Sequence, residues 1–135
     1  VFTVPMTVRF RDLDAMGHVN NSVFFTYFEE GRKEFFFDFY KVTDPIHFEF
    51  ILAHIGCDFL NPVKLTSKLS LEMWVKDIGK KSFILGYRLV DANDPTIQYA
   101  KGDSVQVCYD YKEGRSINVS EPLRQMLEQY QIQDI

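Results

Sequence analysis

SVFFTYFEEGRKEFFFDFY, residues 22–40, is the stretch whose reading decides the fold. It holds no proline and one glycine, Gly31, so nothing in it breaks a helix outright. Asn20 or Asn21 can cap its start through a side-chain oxygen. Val23, Phe24, Phe25, Tyr27 and Phe28 are followed by Phe35, Phe36, Phe37, Phe39 and Tyr40, around a charged middle of Glu29, Glu30, Arg32, Lys33 and Glu34. Apolar side chains therefore run nearly all the way round. A helix of that kind must be surrounded by other structure rather than laid on a surface.

The flanking sequence predicts what surrounds it. Thr3 to Arg11 reads as a strand, with Val4, Met6, Val8 and Phe10 alternating against polar residues. Past the helix, 49–61, 68–78, 81–91 and 97–111 read as long strands rich in β-branched and aromatic residues. Turn signals separate them at Asn61-Pro62, Gly79-Lys80, Asn93-Asp94-Pro95 and Glu113-Gly114. Ser120-Glu121-Pro122 then starts a short helix running to about Tyr130, with Ser120 as N-cap. Short connections imply an antiparallel meander. The expected class is α+β, a curved antiparallel sheet wrapped around a long central helix. No repeat or linker interrupts the sequence, so residues 1–135 are expected to form one domain. Exposed sheet edges make edge-to-edge pairing of two subunits the natural remedy.

Composition narrows the function. A length of 135 residues supports one real core, and 13 Phe with 7 Tyr suggest a thick core, an apolar channel or a buried interface. A net charge of −4 argues against nucleic acid, which needs a basic footprint. No apolar run approaches a membrane span and no secretory pattern opens the sequence, so a cytoplasmic protein is expected. Cys57 and Cys108 read as reduced core thiols. His18, His47 and His54 lack metal-ligand spacing, so neither a metal nor another cofactor is expected.

The segment with most chemistry is Asp12-Leu13-Asp14-Ala15-Met16-Gly17-His18-Val19-Asn20-Asn21, between a strand end and the start of the buried helix. Acidic, imidazole and amide groups converge there on free helix N–H groups, which favour developing negative charge. Hydrolysis of a thioester needs a group to activate water and donors for the carbonyl oxygen. The same residues would also serve as a turn: Asp12 and Asp14 bonding the backbone, Gly17 adopting positive φ, and Asn20 or Asn21 capping the helix.

The pattern Asp12-x-Asp14-x-x-Gly17-His18-Val19-Asn20-Asn21, followed by Tyr27-x-Glu29-x-x-Arg32, resembles the 4-hydroxybenzoyl-CoA thioesterase branch of the hotdog superfamily. The likeness continues through 57–63 (CDFLNPV), 78–83 (IGKKSF) and 99–102 (YAKG), in matching order over nearly the whole chain. The resemblance implies a metal-independent acyl-CoA thioesterase, a homodimer or homotetramer with each site formed between two subunits. It gives Asp14 the role of nucleophile or general base and the Asn21 N–H that of polarising the thioester carbonyl. Gly17, Val19 and Asn20 become candidate substrate contacts. Lys80, Lys81 and Ser82 stand where a basic turn holds the nucleotide phosphates.

Two departures bear on the second catalytic group. Many bacterial relatives carry Tyr-His where this chain has Asn20-Asn21, so that imidazole is missing. His18 is the candidate substitute, as in the similar Asn-x-His-Val-Asn-Asn element of plant acyl-carrier-protein thioesterases, although Met16 stands at that element's first Asn. For Glu29 and Arg32, three apart, a helical salt bridge is the default expectation. His47 and His54 read as packed or surface residues, and Trp74 and Tyr87 as either channel lining or core. The alternative function is a catalytically weak hotdog protein that binds acyl-thioesters or other apolar ligands. A hydratase fits less well, since the Asp-x-Asn-Pro-x-His type of site is not matched.

Overall fold

The computed structural model describes residues 1–44 and 48–132. In chain order these form β1 (Phe2–Met6), a short 3-10 turn (Phe10–Asp12), α1 (Asn21–Tyr40), β2 (Phe50–Phe59), β3 (Leu69–Ile78), β4 (Ser82–Asp91), β5 (Gln98–Asp110), β6 (Arg115–Ser116) and α2 (Glu121–Gln129). His47 lies outside the described residues.

α1 starts where capping chemistry directs it. Asn20 holds extended backbone angles, and its side-chain oxygen accepts the N–H of Ser22 at 2.9 Å. The helix ends at Lys41, which takes the left-handed conformation with φ 55°. Phe24, Tyr27, Phe28, Gly31, Arg32, Phe35 and Phe36 are buried, so one continuous stripe faces the sheet. Removing such a phenylalanine side chain from water contributes about 1.5–3 kcal/mol. Gly31 explains itself here, because a Cβ at that position would collide with the side chains of Leu71 and Met73 on β3. The helix touches the sheet at its only glycine. The enclosure expected from the all-round apolar pattern is one-sided within a single chain: Thr26, Glu29, Glu34 and Asp38 are exposed.

β1 to β5 join one antiparallel sheet in the order β1-β3-β4-β5-β2, and β6 pairs with the end of β5. This corrects the simple meander. β2 does not pair with β3, because β1 and β4 already occupy both edges of β3, and β2 pairs instead with β5 at the far side. The first strand is also shorter than its alternation suggested. β1 stops at Met6, where its pairing with Leu69 ends, and Phe10 enters the 3-10 turn with 80% of its surface exposed. The C-terminal helix follows expectation, with the Ser120 hydroxyl accepting the Leu123 N–H.

β2 is an edge strand of ten residues, one side paired with β5 and the other open in the single chain. A bulge interrupts its register between Leu52 and His54. Ile51, Leu52 and Phe59 remain well exposed. Cys57 and Cys108 are free thiols. Cys108 pairs with Phe50, seven residues before Cys57 on the same strand, about 23 Å away by strand rise and far beyond disulfide reach.

Candidate active site

The loop before α1 is folded back on itself by backbone bonds. The Asp14 N–H donates to the His18 carbonyl at 2.7 Å, and the Gly17 N–H donates to the Asp14 carbonyl at 3.1 Å. Gly17 has φ +79°, a conformation that costs glycine little. Leu13 and Val19 pair across the turn. The loop is then tied at three points. Val19 N–H donates to the Val63 carbonyl at 2.8 Å, and Asn20 N–H to the Asp12 carbonyl at 2.9 Å. The Asp12 carboxylate accepts the Tyr27 hydroxyl, also at 2.9 Å. Burial first, and then that bond to Asp12, holds the Tyr27 phenol well above its ordinary range, so it remains a donor.

This scaffold sets Asp14 at the protein surface. Its Oδ1 accepts the N–H groups of Met16, at 2.9 Å, and His18, at 3.2 Å, which fix the orientation of the carboxyl group. Among the described residues Oδ2 has no hydrogen-bond partner. Asn21 is the first residue of α1, so its backbone N–H has no intrahelical acceptor and sits at the positive end of the helix dipole.

Asp14, His18, Val19 and Asn21 line one cleft of about 230 Å³. The sequence groups these four within ten residues, and the fold brings them to one cleft. The opposite wall runs from Phe59 through Leu60 and Asn61 to Pro62, with Phe24 of α1 beside it. Phe24 and Phe59 fit the expectation that aromatic residues of the helix and adjoining strands line the acyl pocket, whereas Leu60, Asn61 and Pro62 carry no role in the sequence beyond falling inside the CDFLNPV stretch. Tyr99 holds that wall in place, its carbonyl accepting the N–H groups of Leu60 and Asn61. Asn20 faces the helix rather than the cleft: its oxygen is taken by Ser22.

Lys80, Lys81 and Ser82 are not brought to this cleft by one chain. Strand register puts Phe59, Ala100 and Leu89 at one end of the sheet and Phe50, Cys108 and Ser82 at the other. β4 alone has ten residues, so the two ends are about 30 Å apart. The 79–82 turn is pinned by backbone bonds from Cys108 and Val119, and the Arg124 guanidinium donates to the Gly79 carbonyl at 2.7 Å. Trp74 is not among the residues that line this cleft. It lies on the sheet face away from the helix, against Gly86, where a Cβ would strike its ring. Tyr87 stacks on Phe28 beneath α1, with ring centroids 4.4 Å apart.

The expected Glu29–Arg32 ion pair does not form. Glu29 is exposed, while Arg32 turns inward to 9% exposure and donates to the Tyr87 hydroxyl at 3.2 Å. The helix presents Arg32 on its sheet-facing stripe, which takes it away from Glu29. Among the described residues no three His, Cys, Asp or Glu side chains cluster as a metal site would require, and no helix is long and apolar enough to cross a membrane.

An antiparallel sheet packed on one long helix, with a polar cleft at the helix start, defines a hotdog protein. Residues 8–127 match the sequence profile of the thioesterase-like superfamily, and the chain belongs to that family. It is 30% identical over 86 residues to YsmA of Bacillus subtilis (strain 168), itself uncharacterised; that alignment covers 64% of this chain and 58% of YsmA. It is similar to a thioesterase of Thermus thermophilus solved with coenzyme A and zinc, at 28% identity and TM-score 0.84, over 95% of this chain and 92% of that one. A Bacillus stearothermophilus protein described as a predicted thioesterase shares the fold at TM-score 0.89 and 24% identity, over 98% of each chain.

Proposed function

We propose that this protein hydrolyses the thioester of an acyl- or aroyl-CoA to the free acid and CoA. The observation that carries the reading is one cleft lined both by Asp14, whose Oδ2 has no hydrogen-bond partner among the described residues, and by Asn21, the first residue of α1. Asp14 either attacks the thioester carbonyl or draws a proton from the water that does. Both routes place negative charge on the carbonyl oxygen, and a helix-start N–H is suited to stabilise it. The coenzyme A bound by the Thermus relative supports the substrate class. No step needs a metal, and the zinc is a feature of that relative.

The cleft is small for such a substrate, since sites for drug-sized ligands usually exceed about 300 Å³. A second copy paired along β2 would enlarge it. Antiparallel pairing of two β2 edges carries the 79–82 turn of one subunit toward the Asp14 end of the other. Lys80, Lys81 and Ser82 would then hold the nucleotide phosphates from across the interface, with Gly17 and Val19 beside the thioester. Chromogenic detection of released thiol, over a panel of acyl-CoA esters with a chelator present, tests the reading. Turnover of at least one ester is expected, and none across the panel would overturn it.

A further inference from the structure

Arg32 poses a question of charge. Its Nη1–H donates to Tyr87, the Tyr87 hydroxyl meets Ser104 Oγ at 2.5 Å, Ser104 donates to Gln106 Oε1, and Gln106 donates to the Phe83 carbonyl at 3.2 Å. Every donor in this buried chain points away from the guanidinium, and it contains no anion. It occupies one of five N–H groups. Of the neighbouring acids, Glu30 and Glu34 both pair with Lys33, and Glu29, exposed at the rim of the cavity described next, forms no ion pair with Arg32. Among the described residues no carboxylate forms an ion pair with Arg32, whose side chain is nine-tenths buried. A buried charge without a counter-charge is costly.

Beside it lies a cavity of about 300 Å³, bounded by Arg32, Glu29, Glu30 and Lys33 of α1 and by Phe48 and Phe50. The two phenylalanine rings are stacked 5.4 Å apart at 15° and form an apolar wall. The free donors of Arg32 are not sealed in protein: Tyr40 Oη is the one fully buried side-chain polar atom without a partner among the described residues. A forked cation at the edge of an aromatic wall matches a carboxylate carried on an apolar body.

We infer that this cavity binds such a carboxylate, and that Arg32 selects acyl groups whose far end carries one. This second clause rests on the thioesterase reading and names its substrate class. Arg32 is eleven positions beyond Asn21, about 16 Å along the helix, so the distal end of an acyl group is what it can meet. Within a β2-paired dimer the cavity also lies toward the partner's cleft.

Calorimetric titration of the protein with benzoate, and with benzamide as its neutral counterpart, tests the site. Saturable binding of benzoate and none of benzamide is expected, weakened tenfold or more in Arg32→Met. Should Arg32→Met fail to fold, Arg32→Lys keeps the charge but loses the fork, and should weaken benzoate severalfold. Kinetics test the selectivity: the ratio of kcat/KM for adipyl-CoA to that for hexanoyl-CoA should fall tenfold or more in the same variant. Equal binding of benzoate and benzamide, or no loss in either variant, overturns the site. Absent binding together with an altered oligomeric state in Arg32→Met would assign the cavity to a subunit interface and overturn it too. If benzoate binds through Arg32 but no acyl-CoA is turned over, the thioesterase reading and the selectivity fall while the carboxylate site stands.

Discussion

The Tyr27 hydroxyl donates to the Asp12 carboxylate at 2.9 Å across fifteen positions of sequence, and this bond ties the Asp14 loop to the helix at whose start the cleft lies. Asp12 in turn accepts the Asn20 N–H through its backbone, so both ends of that loop depend on it. Tyr27→Phe keeps the packing and removes the bond. It should cost about 1 kcal/mol in urea denaturation, with kcat lowered severalfold as the loop loosens. Unchanged stability and unchanged kcat would remove this role from Tyr27.

Edge strand β2 predicts the oligomer. It leaves one side of its backbone unpaired and exposes Ile51 and Leu52 on its two faces, an edge that isolated proteins usually blunt with charge. Light scattering at micromolar concentration should report a dimer or a dimer of dimers, and Ile51→Lys should shift it toward monomer with loss of turnover. A wild-type monomer would contradict the shared site.

Lys80 and Lys81 should act in binding alone. Replacing both with Ala should raise KM for acyl-CoA and leave kcat nearly intact, the pattern of lost uniform binding. The effect should shrink with a short acyl-pantetheine, which has no nucleotide to hold. Equal losses on both substrates would indicate a damaged fold and take the lysines out of the site.

The two thiols should be inert at neutral pH. Burial first, then the neighbouring Asp58, pushes Cys57 up to about 11; burial and then Glu49 do the same to Cys108. Thiolate, the reactive form, is therefore scarce below about pH 9 and grows as pH rises toward these values. Native protein should be alkylated slowly at neutral pH, and both cysteines rapidly once denatured. Fast stoichiometric labelling of the native chain would contradict this.

The central helix, the four long strands and the Asp14 cluster were all legible in the sequence, because each rests on local chemistry: periodicity, an Asn cap, a Gly turn. Strand order was not. Nothing in 49–61 says that β2 avoids β3, since that depends on which edges β1 and β4 have already filled. The inward turn of Arg32 was hidden for a related reason, as Glu29 three residues earlier offers a local partner and only the buried stripe of α1 overrides it. The wall from Leu60 to Pro62 comes from a segment distant in sequence, so nothing local to the Asp14 cluster points to it.

The most direct test of the account is the hydrolysis rate of Asp14→Asn on the best acyl-CoA of the panel. The substitution keeps an oxygen able to accept from Met16 and His18, so circular dichroism and oligomeric state should match the wild type. Turnover should fall by about a hundredfold or more, the contribution of a positioned carboxylate in acid–base chemistry. A well-folded Asp14→Asn protein that turns over near the wild-type rate would contradict the assignment of Asp14 and the mechanism built on it.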